Sequence, residues 1–325
     1  MRYLKSAGFF AFSCAAMLLA FQAPNAKADD YPKKPIRLLV GYPPGGPVDY
    51  FGRIVADFLV KDLGQPVVVE NKPGASGTIA LEELARAKPD GYTLEIVPSP
   101  AITISPYLQS VRFKPTEDFT PISNLVIGPL ALVVRKDFPA NNIDELMATA
   151  RANPARYTFG SAGKGGSNHL AGELFQKQAQ VRLRHVAYTG VGPALRDVMG
   201  LHIDMMFLSI GEAYDQLQAG SIKGIAVGSK ERNRRLPDLP TLNETALPGY
   251  EAVVWYSLMA PAKLPADITS RLNRAITNIA ADPKFSTPII ERGYDVIPST
   301  PEALAERVRV ESRQWAGIIS ELDKK

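Results

Sequence analysis

The chain has 325 residues, 46% of them apolar, a formal charge of +4 and a single cysteine, Cys14. Three of its cations, Arg2, Lys5 and Lys27, lie in the first 28 residues, which hold no acid, so a chain starting at Asp29 carries +1 and no thiol. That excludes the basic excess of a nucleic-acid partner and any disulfide or thiolate metal site; about 300 residues exceed one comfortable core and predict two domains.

Residues 1–28 read as a cleavable secretory signal peptide. Arg2 and Lys5 precede an uncharged, mostly apolar run over 7–21, and Ala26-Lys27-Ala28 supplies a small-residue cleavage site. The run is shorter than the roughly 20 residues of a membrane span, and Ala11-Phe12-Ser13 ahead of Cys14 departs from a lipoprotein cleavage box. The expectation is a soluble periplasmic protein.

From Pro35 onward, short β-rich runs alternate with amphipathic stretches joined by glycine, proline and small polar residues, the signature of parallel α/β sheets. Residues 36–41 predict a buried strand. Phe51, Ile54, Val55, Phe58 and Leu59 then recur at i, i+3, i+4, i+7 and i+8 and predict a helix. Strands follow over 67–71 and 92–97, with a helix over 78–87 between them. Asn142 and Glu145 mark a capped helix reaching about residue 152. Beyond it come a strand over 157–161, a glycine-rich loop, a helix over 168–178, and strands over 182–188, 202–207 and 222–229. The last third predicts helices over 266–281 and 302–322. Two apolar runs, 122–135 with Gly128-Pro129 inside it and 252–260 with Trp255 and Tyr256, predict crossings between lobes. Lobe 1 is then discontinuous, 29–127 and 253–325, and lobe 2 is 128–252, with a two-strand hinge between them.

In open α/β sheets ligands sit beyond the carboxyl ends of the strands, where the glycine-rich loops over 42–49, 71–78, 160–169 and 188–192 fall. Unpartnered amides at a helix start, with the macrodipole's positive end, accept an anion without an arginine. Each loop alone is a weak signal. Gly45-Gly46 reads equally as a tight turn, and Asp49 as a dipole partner of its own helix. Around Lys164 the phosphate-loop pattern fails twice, at Thr158 and Gly165, leaving Lys164 either an aid to anion binding or a solvated cation. His169, His185 and His202 lack metal-ligand spacing. No nucleophile elbow surrounds Ser161, and His169 suits orienting its loop better than catalysis. Asp204 lies in an apolar strand pattern, where a charge needs a partner or a cleft mouth. Trp255 reads as hinge packing more readily than as a ligand platform, and Arg232, Arg234 and Arg235 as a solvated basic turn.

Several motifs together resemble one family over residues 31–315. They include Tyr42-Pro43-Pro44-Gly45-Gly46-Pro47 with Asp49, Leu63-Gly64-Gln65-Pro66 leading into the 67–71 strand, and Lys88-Pro89-Asp90-Gly91-Tyr92. Gly160-Ser161-Ala162-Gly163, His169-Leu170-Ala171-Gly172-Glu173, His185 with Tyr188 and Gly190, and Leu236-Pro237-Asp238-Leu239-Pro240 continue the match. These resemble the Bug (TctC-type) solute receptors of tripartite tricarboxylate transporters. The resemblance implies an α/β, type II periplasmic-binding-protein fold, two lobes with the ligand cleft between them. It implies a non-enzymatic, monomeric receptor that captures a small organic carboxylate, a di- or tricarboxylate or an aromatic acid, and delivers it to the transporter's membrane subunits, with no cofactor or metal. Carried over by position, the binding set is Tyr42, Gly45, Gly46, Asp49 and Ser99 in the first lobe. In the second lobe it is Ser161, Ala162, Gly163, Lys164, Gly165, Ser167, His169, Tyr188, Thr189, Gly190 and Asp204. The sequence departs from the family pattern at Gly166, usually serine, at Thr189, usually lysine, and at Gly200-Leu201-His202. Two rival readings stay open: a receptor that docks on a sensor kinase, and a periplasmic hydrolase using Ser161 and His169.

Overall fold

The computed structural model describes residues 31–322; the signal-peptide reading lies outside them. In chain order the elements are β1 (Ile36–Val40), α1 (Pro47–Leu63), β2 (Val67–Asn71), α2 (Thr78–Ala85), β3 (Thr93–Pro98), α3 (Ser99–Thr103), β4 (Phe119–Arg135), α4 (Ile143–Ala152), β5 (Thr158–Ser161) and α5 (Ser167–Ala179). They continue through β6 (Arg184–Ala187), α6 (Val191–Met199), β7 (Met205–Ser209), α7 (Ile210–Gln218), β8 (Ile222–Val227), β9 (Val253–Pro261), α8 (Ala266–Ala281), α9 (Pro283–Glu291), β10 (Asp295–Val296) and α10 (Pro301–Leu322).

The strands run in the order β2-β1-β3-β9-β4-β7-β5-β6, with β8 and β10 also on β4. β1, β2 and β3 are parallel, as are β5, β6 and β7, because each strand-to-strand connection carries a helix across the sheet. β4 joins the two halves. Through Phe119–Pro129 it pairs antiparallel with β9, and from Leu130 onward with β7 and β8. The change of partner falls at Gly128-Pro129, the interruption marked in the sequence. The result is a mixed α/β, two-lobe fold of the periplasmic-binding-protein type.

Each lobe has its own core. Leu39, Leu81, Val97, Trp255 and Met259 pack with Leu304 and Val308 of α10 in the first. Phe159, Phe175, Phe207 and Tyr250 centre the second, which also takes in Ile318 near the end of α10. The last helix therefore touches both cores. Trp255 is fully buried, its indole N–H donating to Glu311 of α10 at 2.8 Å, which is packing and not a ligand platform. Arg235 departs from the solvated turn expected for 232–235, lying 3.8 Å over the Tyr214 ring. Helix α9 was not expected, because Pro288 lies inside it; Asp282 caps it, accepting from Lys284 N–H at 2.8 Å, with Pro283 in the first turn. Among the described residues no helix is long and apolar enough to cross a membrane.

Candidate functional site

Five helices begin at the wall of one cavity of about 240 Å³. Helix α1 presents Pro47 and Val48, α3 Pro98 and Pro100, α5 Ser167 and Asn168, α6 Val191, and α7 Ser209 and Glu212; the crossing strands add Gly128, Leu130, Val254 and Tyr256, and Tyr42 and Tyr294 close the wall. Parallel strands make this convergence, since each one delivers its chain to the same edge before the helix starts. The residues capping α1, α3, α5, α6 and α7, namely Gly46, Pro98, Gly166, Gly190 and Ser209, supply no side-chain cap to the first-turn amides. The positive ends of the four longer helices therefore lie at residues that line one space. No lysine, arginine or histidine is among the residues lining it.

Of the residues predicted from sequence, Tyr42 and Ser167 stand on this wall. Tyr42 donates its hydroxyl to Ser76 O at 2.8 Å, and burial, then the charge of Glu95, pushes that phenol up. Gly45, Gly46 and Asp49 line a neighbouring pocket of about 320 Å³ with Arg53 and Arg292, and the two pockets share Pro47 and Tyr294 as wall. Asp49 is buried and occupied. It accepts from Gly45 N–H at 2.9 Å, from Asn71 at 2.9 Å and from Arg53, whose hydrogen bond is the main reason its carboxyl is lowered to about 2. Ser99 is buried between Pro98 and Pro100 and lies against the Trp255 amide at 3.3 Å.

The 161–166 loop uses several of its amides internally, contrary to the expectation that they are free. Gly163 N–H donates to Ser161 Oγ at 3.2 Å, Gly166 N–H to Gly163 O at 3.3 Å, and Gly165 N–H to Nδ1 of His169 at 3.0 Å. His169 thus orients the loop as its unprotonated acceptor; burial, then His185 and Lys164, lower its pKa to about 4. Ser161 is fully buried and pairs at 2.7 Å with Nε2 of His185, not with His169. The His169 and His185 rings lie tilted at 35° with centroids 4.0 Å apart, so loop, helix and strand β6 are packed together. Ala162, Gly163, Lys164 and Gly165 are not among the residues lining the cavity; Gly165 carries Leu108 against it, where a Cβ would stand 2.2 Å from Leu108 Cδ1. Tyr188 donates to Asp197 at 2.6 Å, and Thr189 and Gly190 lead directly into Val191 on the wall.

Asp204 requires correction. It precedes β7, at the end of the strand opposite Ser209, and its carboxylate accepts from Thr158 N–H at 2.7 Å, from Thr158 Oγ1 at 2.9 Å and from Arg135 at 3.0 Å. It is a structural ion pair away from the cavity. Sequence reasoning missed Asn168, Glu212, Tyr256 and Tyr294. Asn168 follows Ser167 in the first turn and was within reach of the loop argument; it donates to Phe207 O at 2.6 Å, tying α5 to β7. Tyr294 reaches the cavity through tertiary packing of its ring on Gly128, where a Cβ would be 2.5 Å away. No group of three or more metal-ligating side chains occurs among the described residues.

The model of the tripartite tricarboxylate transporter family receptor (TctC) matches residues 51–324 of this chain. The periplasmic binding protein BugD is similar, at 34% identity and a TM-score of 0.74 over 90% of this chain and 98% of BugD. MatC from Rhodopseudomonas palustris, solved with bound malate, is 29% identical with a TM-score of 0.75, covering 89% of this chain and all 100% of MatC. R. palustris Rpa4515 with adipate is 29% identical with a TM-score of 0.77, over 90% and 98%.

Proposed function

The chain belongs to the tripartite tricarboxylate transporter receptor family, and from that premise we propose that it is a periplasmic receptor that captures a small organic carboxylate between its lobes and hands it to the membrane subunits of such a transporter. The observation that carries this reading is the set of helix starts, α1 from the first lobe and α5, α6 and α7 from the second, that share one cavity without a lining cation. Unpaired amides and helix dipoles suit a carboxylate there. The malate and adipate bound to two relatives are of that chemistry. We place the lobe boundaries at 127/128 and 252/253, beside the partner change of β4 and the start of β9. The ligand lies against Tyr42, Ser167 and the Gly190–Val191 turn. Gly45, Gly46 and Asp49 shape the adjoining pocket, and Ser99, Ser161–Gly165, His169, Tyr188 and Thr189 hold the loops in place.

A Ser167→Pro substitution tests the backbone claim. Proline is accepted at the first helical position because the amide lost there has no helical partner, so α5 persists while one donor to the cavity disappears. Calorimetry with a carboxylate that stabilises the wild type in a thermal-shift panel is expected to show at least tenfold weaker binding for Ser167→Pro than for the Ser167→Ala control. Equal affinities would remove the amide from the account. Saturating ligand at one hundred times its Kd adds about 2.7 kcal/mol of stability, enough for the panel to identify it.

A further inference from the structure

Glu212 is an acid on the wall of a cleft that otherwise favours anions. It lies in the first turn of α7, lines the cavity, and takes a hydrogen bond from Ser209 Oγ; among the described residues it has no ion-pair partner. Tyr256 and Tyr294 line the same space with rings 6.2 Å apart at 71°. Glu212 is close enough that its charge acts on both phenols: burial, then this carboxylate, pushes the Tyr294 hydroxyl up to about 12, while burial and the neighbouring Tyr294 and Tyr42 raise the Tyr256 hydroxyl, with Glu212 adding a smaller share. A first-turn acid complements its own helix dipole, but that role does not require it to share a cavity wall with two tyrosines. Between the polar groups the lining is apolar, with Val48, Leu130, Val191 and Val254. The space therefore offers amide donors for a carboxylate, an aliphatic middle, and a carboxylate beside aromatic faces, a combination that attracts a cation and repels a second ligand carboxylate.

We propose that Glu212 makes this cleft selective for a zwitterion, an aliphatic ω-amino acid whose carboxylate meets the helix starts and whose ammonium rests between Glu212 and the tyrosines, over the dicarboxylate of matching length. The inference rests on the carboxylate reading of the cleft. A cavity of about 240 Å³ has room for several water-sized groups, so short aliphatic chains are the probes.

Calorimetry on the full-length mature chain, with 4-aminobutyrate against glutarate and 5-aminopentanoate against adipate, in the wild type and in Glu212→Gln, tests it. The glutamine keeps an acceptor for Ser209. The wild type is expected to bind the amino acid of at least one pair tenfold or more tightly than its dicarboxylate. Glu212→Gln is expected to move the two classes in opposite directions, weakening the amino acid about tenfold and tightening the dicarboxylate. Dicarboxylates preferred by the wild type, or both classes weakened alike by Glu212→Gln, would overturn the inference and leave the carboxylate reading standing. If neither class binds, nor any acid of the thermal-shift panel, both readings fall together; if other acids of that panel bind while no amino acid does, only the zwitterion inference falls.

Discussion

Glu95 sits in the middle of β3, 1% exposed, with Oε2 unpartnered. Burial, and then the charge of Glu83, pushes its carboxyl well above the ordinary 4.5. An unfolded chain releases this proton near the ordinary value, whereas the folded chain keeps it. The native state binds the extra proton above that pH, so the contribution of Glu95 to stability is fully present below about 4.5 and is lost as pH rises toward the folded pKa. Glu95→Gln keeps the shape without the titration. Urea denaturation from pH 4.5 to 7.5 is expected to show the variant gaining on the wild type as pH rises; parallel curves would show that Glu95 does not hold its proton. Individual residues of this kind were only partly legible in the sequence. Asp204 announced that a charge in an apolar run needs a partner, but whether it faced the cleft depended on register, and Val134 opposite Met205 puts it at the far end, within reach of Arg135. His169 was legible as a loop-orienting residue, because a histidine four positions after Gly165 on a helix start reaches back to that amide.

At the level of elements, local chemistry was read correctly where it is local. Asn142 caps α4 by accepting from Glu145 N–H at 2.9 Å, and the reciprocal Glu145 bond reaches Asn141 N–H at 2.8 Å. The parallel strands followed from alternating β-rich and amphipathic segments. Helix α9 was hidden by Pro288, and the partner change within β4 was visible only as Gly128-Pro129. Helix α5, which brings Ser167 and Asn168 to the cavity, lies so close to β5 that a Cβ on Gly172 would stand 2.3 Å from the Phe159 ring. Alanine is the better helix former by about 1 kcal/mol, yet overpacking of this kind costs roughly 1–3 kcal/mol. Gly172→Ala is therefore expected to lower stability by chemical denaturation; a stabilised variant would mean that α5 has room to move outward.

For the molecule as a whole, the two lobes meet around the cavity as well as through β4 and β9. Leu108 of the first lobe rests on Gly165 of the second, Asn233 Nδ2 donates to Gly293 O at 3.2 Å, and Ile104, Leu170 and Ile319 form a small shared cluster. Strand ends and glycine positions point to the neighbourhood of the cavity, whose wall holds Tyr42 and Ser167 of the residues named from them. The aromatic wall was not, since Tyr256 and Tyr294 approach through Phe51, whose ring lies 4.6 Å from one and 5.2 Å from the other, a contact that no stretch of sequence encodes alone. Closing such lobes over a guest joins amide donors that neither lobe could bring to it separately. The most direct test is an amide NMR titration of the ¹⁵N-labelled protein with the tightest-binding acid of the thermal-shift panel. Resonances of Val48 in α1 and of Ser167, Asn168 and Val191 in α5 and α6 are expected to shift together with one dissociation constant. Shifts confined to one lobe, or centred on Arg53 and Arg292 with these four amides unmoved, would contradict the account.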